Sequence, residues 1–205
     1  MPKQRFYNLP IEKRERILNA AVSEFSRVPI NEVSINKIIK SANISRGSFY
    51  QYFDDKNDLI REIMSGYKND MIDRIKQHSL KKDIDIFNLT LEMLECTITF
   101  TEKDNNQRLC FYVFDTMRGN ENFFNQIVGT DEIKNVIDML ITLIDSSTFK
   151  YSERNDIINV LEIISTLGGK TVMKTIKQPN NKHIYIEEFK RQLMIIKNGI
   201  LVERS

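Results

Sequence analysis

Residues 33–53, VSINKIIKSANISRGSFYQYF, restrict the chain more than any other stretch. Their apolar groups can all turn inward only if the segment forms two short helices joined by a tight turn. Ile35, Ile38, Ile39 and Ala42 recur at helical spacing and give the first helix of the pair one apolar face. Ser34 stands just before that face, where a hydroxyl can cap the unpaired N–H groups of the first turn. Asn43 follows at the turn, and Asn tolerates the left-handed backbone often needed there. Ser45 is placed to cap the second helix, and Ile44 beside it is an apolar peg between the two. Phe49 and Phe53, four apart, share a face that should point into the core. A rotation of about 100° per residue then turns Gly47, Ser48, Tyr50 and Gln51 outward.

That outward face suits a DNA groove. Arg46 lies at the helix N-terminus, the end that enters the major groove in helix-turn-helix proteins. Arg pairs with guanine edges and Gln with adenine edges, so Arg46, Ser48 and Gln51 are the candidate base readers. Gly47 would act through what it lacks, since any side chain there could hold the helix away from the duplex. An ordinary helical hairpin with a solvated polar face competes with this reading. The run from Ser45 to Phe53, followed by Lys56, favours DNA.

The segment from about Arg14 to Leu59 resembles the DNA-binding domain of TetR-family transcriptional repressors. Arg14, Ile17, Leu18, Ala20, Ala21 and Phe25 match the family's first helix, and Ser34, Ile35 and Ile38 its second. Ile44, Ser45, Gly47, Phe49, Tyr50, Tyr52, Phe53, Lys56 and Leu59 match the third helix and the start of the fourth. Pro29 departs from a usual Gly, Asn43 from the usual turn Gly, and Ile39 from a usual Ala. None of the three touches the expected DNA face. The resemblance implies that Ser34, Tyr50, Tyr52 and Lys56 grip phosphates. It also implies a homodimer on a palindromic operator, with heads in major grooves about 34–36 Å apart or a multiple of that.

The remaining sequence reads as helices throughout, so the fold is expected to be all-α. A first helix should start near Pro10 and run past Phe25, with Pro29 as its stop. A fourth, favoured by Asp54 and Asp55 at its start, carries Ile60, Met64, Tyr67, Met71 and Ile75 and should continue to about His78. Breaks are expected near 103–106, 119–122, 129–131, 146–152 and 178–182. Division by role gives a DNA-binding head over 1–55 and an effector-binding, dimerising body over 56–205. Ile157, Leu161, Ile164, Gly168 and Val172 form one late stripe; Ile186, Phe189, Leu193, Ile196 and Ile200 form another. Gly168 and Gly169 would be tolerable in a helix if they let two helices approach closely. Each stripe alone could be internal core. The family resemblance implies instead that they pair with a second copy.

An effector, by the same resemblance, would sit in the body. Met93, Cys96, Phe100, Cys110, Phe111, Phe114 and Met117 supply soft and aromatic groups suited to a small apolar or amphipathic ligand. A Met or Phe stripe at helical spacing is more often plain core, which competes with this reading at each single position. Composition limits the alternatives. A chain of 205 residues with net charge +2 neither demands nor excludes nucleic acid. Lys3, Arg5, Lys13, Arg14 and Arg16 crowd the N-terminal arm and first helix, where they would neutralise phosphates or lie on a solvated face. No apolar run approaches the roughly 20 residues needed to span a bilayer, and no secretory signal is visible, so a cytoplasmic protein is expected. Cys96 and Cys110 have no metal-ligand spacing. Only His78 and His183 are present, and no phosphate loop or nucleophile elbow appears, so neither catalysis, a metal nor a cofactor is expected. A DNA-anchored factor that recruits another protein, or a helical interaction module, remain as alternatives to a ligand-responsive repressor.

Overall fold

The computed structural model describes residues 2–79, 85–103 and 106–201. Among them the helices are α1 (Gln4–Tyr7), α2 (Ile11–Phe25), α3 (Ile35–Ser41), α4 (Arg46–Tyr52), α5 (Lys56–Ser79), α6 (Ile86–Glu102), α7 (Asn106–Gly119), α8 (Glu121–Val128), α9 (Thr130–Leu143), α10 (Arg154–Lys177) and α11 (Lys182–Ile200). Short 3-10 turns lie at Ile30–Glu32, Ser146–Thr148 and Pro179–Asn181. No strand occurs among the described residues, only an isolated bridge between Phe149 and Leu201. The chain is all-α, as its periodicity predicts.

Packing groups the described residues of Met1–Asn69 with those of Thr101–Thr130, and those of Asp70–Phe100 with those of Asp131–Ser205. Helix α5 belongs to the first unit as far as Asn69 and to the second from Asp70. This grouping does not follow the division at residue 55, because residues 101–130 return to pack in the first unit.

In the first unit Ile17, Ala21 and Phe25 of α2, Ile38 of α3, Phe49 of α4, then Phe53, Leu59 and Ile60 are all fully buried. Each large apolar side chain so buried contributes about 1.5–3 kcal/mol relative to exposure. Helix α1 had no sequence signal of its own, yet Phe6 is fully buried with its ring 4.8 Å from that of Phe53. Lys3 N–H donates to Tyr52 O at 2.8 Å, and the Tyr7 hydroxyl donates to the Glu62 carboxylate at 2.7 Å. Burial, reinforced by Glu62, pushes the Tyr7 phenol up to about 12, so it remains a donor at any ordinary pH. Lys3 Nζ donates to Tyr50 O at 2.9 Å and pairs with Asp54 at 2.6 Å. The arm expected to be free for phosphates is therefore stapled to α4 and the turn after it.

That turn is set by acids. Asp55 Oδ1 accepts from Asn57 N at 2.9 Å and Asp58 N at 3.0 Å, capping α5. Asp58 is buried; its Oδ2 accepts from Asp54 N at 2.8 Å and its Oδ1 pairs with Arg61. Arg61 in turn donates to Gln126 O at 2.7 Å, fixing the end of α8 to the start of α5. Burial alone would raise the Asp58 carboxyl, but the positive charge and N–H donors gathered on it, led by the chain's amino terminus and including Arg61 and the Asp54 N–H, outweigh it and bring it down to about 2. A depressed carboxylate stabilises the fold above its unfolded value and stops doing so as pH falls through its folded value. Asp58→Asn should therefore cost on the order of 1–2 kcal/mol near neutrality. In denaturant melts the gap to the parent protein should shrink below pH 4 and close towards pH 2. A gap independent of pH would show that the charge is not what stabilises the turn.

In the second unit α11 folds back on α10 through the short turn at Pro179–Asn181. Ile157, Ile164, Val172, Phe189 and Leu193 are buried in the chain's own core, while Leu161, Gly168, Ile186, Ile196 and Ile200 are half-buried. Half of the residues in the two stripes expected to meet a second copy are thus inside the subunit, and half stay partly open. Periodicity finds the inward face of a helix but does not say what covers it. A Cβ on Gly168 would lie 3.8 Å from the Phe189 ring, an ordinary contact, and one on Gly169 would meet nothing within 4 Å. Close approach within the chain requires neither glycine. The apolar groups left outside are others: Ile163 is 51% exposed, Ile184 45%, Met194 59% and Ile195 72%.

Candidate nucleic-acid interface

Helices α3 and α4 and the turn between them are held by groups far apart in sequence. Asn43 adopts φ +50°, the left-handed turn its chemistry suggested. Ser45 Oγ accepts from Ser48 N at 3.0 Å and lies 2.9 Å from Ser48 Oγ. The α4 cap forms as expected, but it engages the Ser48 hydroxyl, which was expected to read bases. Ser34 occupies the cap position of α3 without a side-chain cap bond. The Glu24 carboxylate instead accepts from Ser34 N at 3.2 Å. Glu24 is buried, and the Arg27 guanidinium meets both of its oxygens at 2.8 Å, which lowers its pKa against the cost of burial.

The far end of α3 is held by Arg16, whose Nε donates to Ala42 O at 2.9 Å. Lys56 Nζ donates to Ile30 O at 2.6 Å and to Asn31 O at 3.3 Å, tying α5 to the turn before α3. Burial lowers the Lys56 pKa, and Asp55 works against that shift. Arg16 and Lys56 are thus clamps on the helix-turn-helix, with a third Lys56 N–H still available to a phosphate. Lys56→Met should cost about 1.5–3 kcal/mol of stability, the usual worth of hydrogen bonds from a charged donor. It should also weaken binding to all DNA sequences alike and make affinity less dependent on salt. Melting curves and titrations at several salt concentrations read both effects. An unchanged melt would mean that the two carbonyl contacts carry no stability.

Arg46, Gly47, Tyr50 and Gln51 are exposed on α4. Arg46 Nη1 donates to Asn36 Oδ1 at 3.2 Å, and its guanidinium carbon lies 5.8 Å from the centre of the Tyr50 ring. Tyr52, by contrast, is buried: its ring is 6.5 Å from Phe6, with the Lys13 ammonium 5.8 Å above it. It belongs to the core, leaving Tyr50 as the exposed phenol of the pair. A Cβ on Gly47 would meet only Ser45 Oγ, at an ordinary 3.8 Å, and its φ is not positive. Among the described residues nothing demands glycine at this point, as is also true of Gly66, Gly169 and Gly199 in the longer helices.

The residues proposed for an effector fall into two groups. Met93, Cys96 and Phe100 lie on α6 in the second unit, half-buried. Phe111, Phe114 and Met117 are half-buried on α7 in the first unit, and Cys110 is fully buried. Burial pushes the Cys110 thiol up to about 12, so it behaves as a small apolar group rather than a nucleophile. Three contributors to the interface carried no local sequence signal: Glu24, Arg16 as a clamp, and Asn36. Only their positions in the fold reveal them.

Comparison with known proteins agrees with this geometry. Residues 17–63 match the family model described as bacterial regulatory proteins, tetR family. Residues 85–200 match the one described as tetracyclin repressor-like, C-terminal domain. The HTH-type transcriptional regulator YvdT of Bacillus subtilis is 34% identical over 103 residues, half of this chain and half of that protein. An HTH-type transcriptional regulator of Staphylococcus aureus is 26% identical over 152 residues, covering 69% of this chain and 82% of its own. The crystal structure of a TetR family transcriptional regulator from Chloroflexus aurantiacus superposes with TM-score 0.54 at 21% identity, covering 99% of this chain and 100% of that one. These relatives are transcriptional regulators rather than enzymes, and no described helix is long and apolar enough to cross a membrane. With its helix-turn-helix matched at one end and more than half of its length matched beyond, this chain belongs to the TetR family of bacterial transcriptional regulators.

Proposed function

We propose that the protein is a ligand-responsive repressor that binds a palindromic operator as a homodimer in the bacterial cytoplasm. The observation that carries the reading is the exposed face of α4, where Arg46, Tyr50 and Gln51 surround Gly47, a helical glycine that no described neighbour requires. A helix laid against a duplex supplies the missing reason. In this reading residues 1–55 are the reading head and 56–205 the body. Arg46 and Gln51 read bases, while Tyr50 and Lys56 hold phosphates and Ser45 and Ser48 shape the helix start. The homodimer rests on the exposed apolar groups of α10 and α11, which water leaves unsatisfied.

An apolar or amphipathic effector would be taken up in the body, the candidate lining being Met93, Cys96 and Phe100 on α6 and, as a separate group, Phe111, Phe114 and Met117 on α7. A ligand lowers DNA affinity only by binding the DNA-incompetent state more tightly. Coupling of about 1–3 kcal/mol, some 5–150-fold in operator affinity, is the expected scale. Helix α5, which runs from the first unit into the second, is the element such a ligand would have to bias.

The test is recovery of genomic duplex fragments by the purified protein, with Gly47→Trp as control. A palindromic site recovered by the parent protein and lost in the variant supports the repressor reading. No enriched sequence even at low salt would overturn it in favour of a helical interaction module.

A further inference from the structure

We infer that Asn36 is a positioning residue for base recognition: it holds the Arg46 guanidinium, together with the Tyr50 ring, in the orientation that reads the groove. This rests on Arg46 being a base reader. Arg46 is the first residue of α4 and exposed, and a long side chain at such a place loses much rotamer freedom when DNA fixes it. Here it is already restrained from two sides. Asn36, on the first turn of α3, accepts from Nη1 at 3.2 Å across the turn of the motif. Tyr50, one helical turn along α4, presents its ring 5.8 Å from the guanidinium carbon.

A guanidinium has donors only, so this contact also fixes the Asn36 amide, with its oxygen towards Arg46 and its NH2 away. One N–H of five is engaged, and a bidentate guanine contact takes two more. The restraint therefore leaves the reading edge free. Asn36 is itself exposed, so no core packing accounts for its place beside Arg46.

Base preferences recovered by the purified full-length protein from random duplexes test this. The proteins are the parent, Asn36→Ala, Asn36→Asp, Arg46→Ala and the Asn36→Ala/Arg46→Ala double variant. Arg46→Ala should flatten the preference at one base pair of each half-site. Asn36→Ala should weaken the preference at that same base pair by roughly 2–10-fold, the range a single hydrogen bond spans. The double variant should be no flatter there than Arg46→Ala. Asn36→Asp keeps the acceptor oxygen but has no NH2, so the preference should survive although the added charge weakens binding to every sequence. Melting temperatures should be unchanged.

If Asn36→Ala flattens a different base pair, or Asn36→Asp loses the preference, Asn36 reads bases itself and the inference falls. A uniform loss with a weaker salt dependence would make it a phosphate contact, and no change would leave Arg46 aimed without it; either overturns the inference. If Arg46→Ala leaves every preference intact, the base-reading role of Arg46 is what has failed, a result distinct from failure of Asn36 alone.

Discussion

Gly47→Ala is expected to make the protein more stable and a poorer DNA binder at the same time. The site lies inside a seven-residue helix, and a Cβ would find only Ser45 Oγ at 3.8 Å. Nothing then offsets the gain in helix propensity, roughly 0.5–1 kcal/mol for Ala over Gly. For a chain of this size that is a rise of about 1–4 °C in melting temperature. On DNA the added methyl stands where helix and duplex must close together. Displacement of the helix lengthens the contacts of Arg46, Tyr50 and Gln51 together, so the loss is larger than one contact would give. We expect about 10–100-fold weaker binding to the operator, the equivalent of roughly one good base contact or slightly more. Gly47→Trp should abolish it. Thermal melts and anisotropy titrations with the operator duplex give the two signs independently. Unchanged affinity in Gly47→Ala would mean that α4 never approaches DNA closely, and would remove the main support for the proposed mode of binding.

The same site shows what sequence can and cannot disclose. The spacing of Phe49 and Phe53, the left-handed Asn43, the Ser45 cap and the run of α5 to Ser79 are local properties, and all were legible from residue type and period. Contacts between residues far apart in the chain were not. Lys56 is expected to be a phosphate ligand by family resemblance, and its charge suits that role. It became a clamp because the fold brings Ile30 and Asn31 carbonyls within 2.6 and 3.3 Å of it. Glu24 sits on an apolar helix face, where an acid is expected only if paired; Arg27 is a local partner three residues on, but Ser34 N becomes visible only once α2 meets α3. Tyr52 misled for a related reason. It follows Tyr50 by two residues, which in a helix turns it by about 200°, from the outward face into the cluster with Phe6.

The late helices carry the second large expected effect. The sequence stripes through Ile164 and Phe189 are only partly buried inside the subunit, and beside them Ile163, Ile184, Met194 and Ile195 stay exposed, so the proposed dimer would draw on these groups first. An isoleucine 72% exposed on a helix is ordinary alone, but four large apolar groups exposed on one helical pair are surface that association would dry. Ile195→Glu should therefore convert the dimer to a monomer, since a carboxylate left unpaired in such an interface costs several kcal/mol. Operator affinity should fall by 100-fold or more, on the order of the avidity that linking two heads provides. The subunit itself should fold normally, because Ile195 supports no internal packing. Phe189→Ala makes the opposite prediction: a cavity under Gly168 costing about 3–5 kcal/mol of stability, with dimerisation lost only as far as the subunit unfolds. Sedimentation at several concentrations, alongside denaturant melts, separates the two. A dimer that persists in Ile195→Glu would show that the copies meet elsewhere, and would leave this apolar face in need of a different partner.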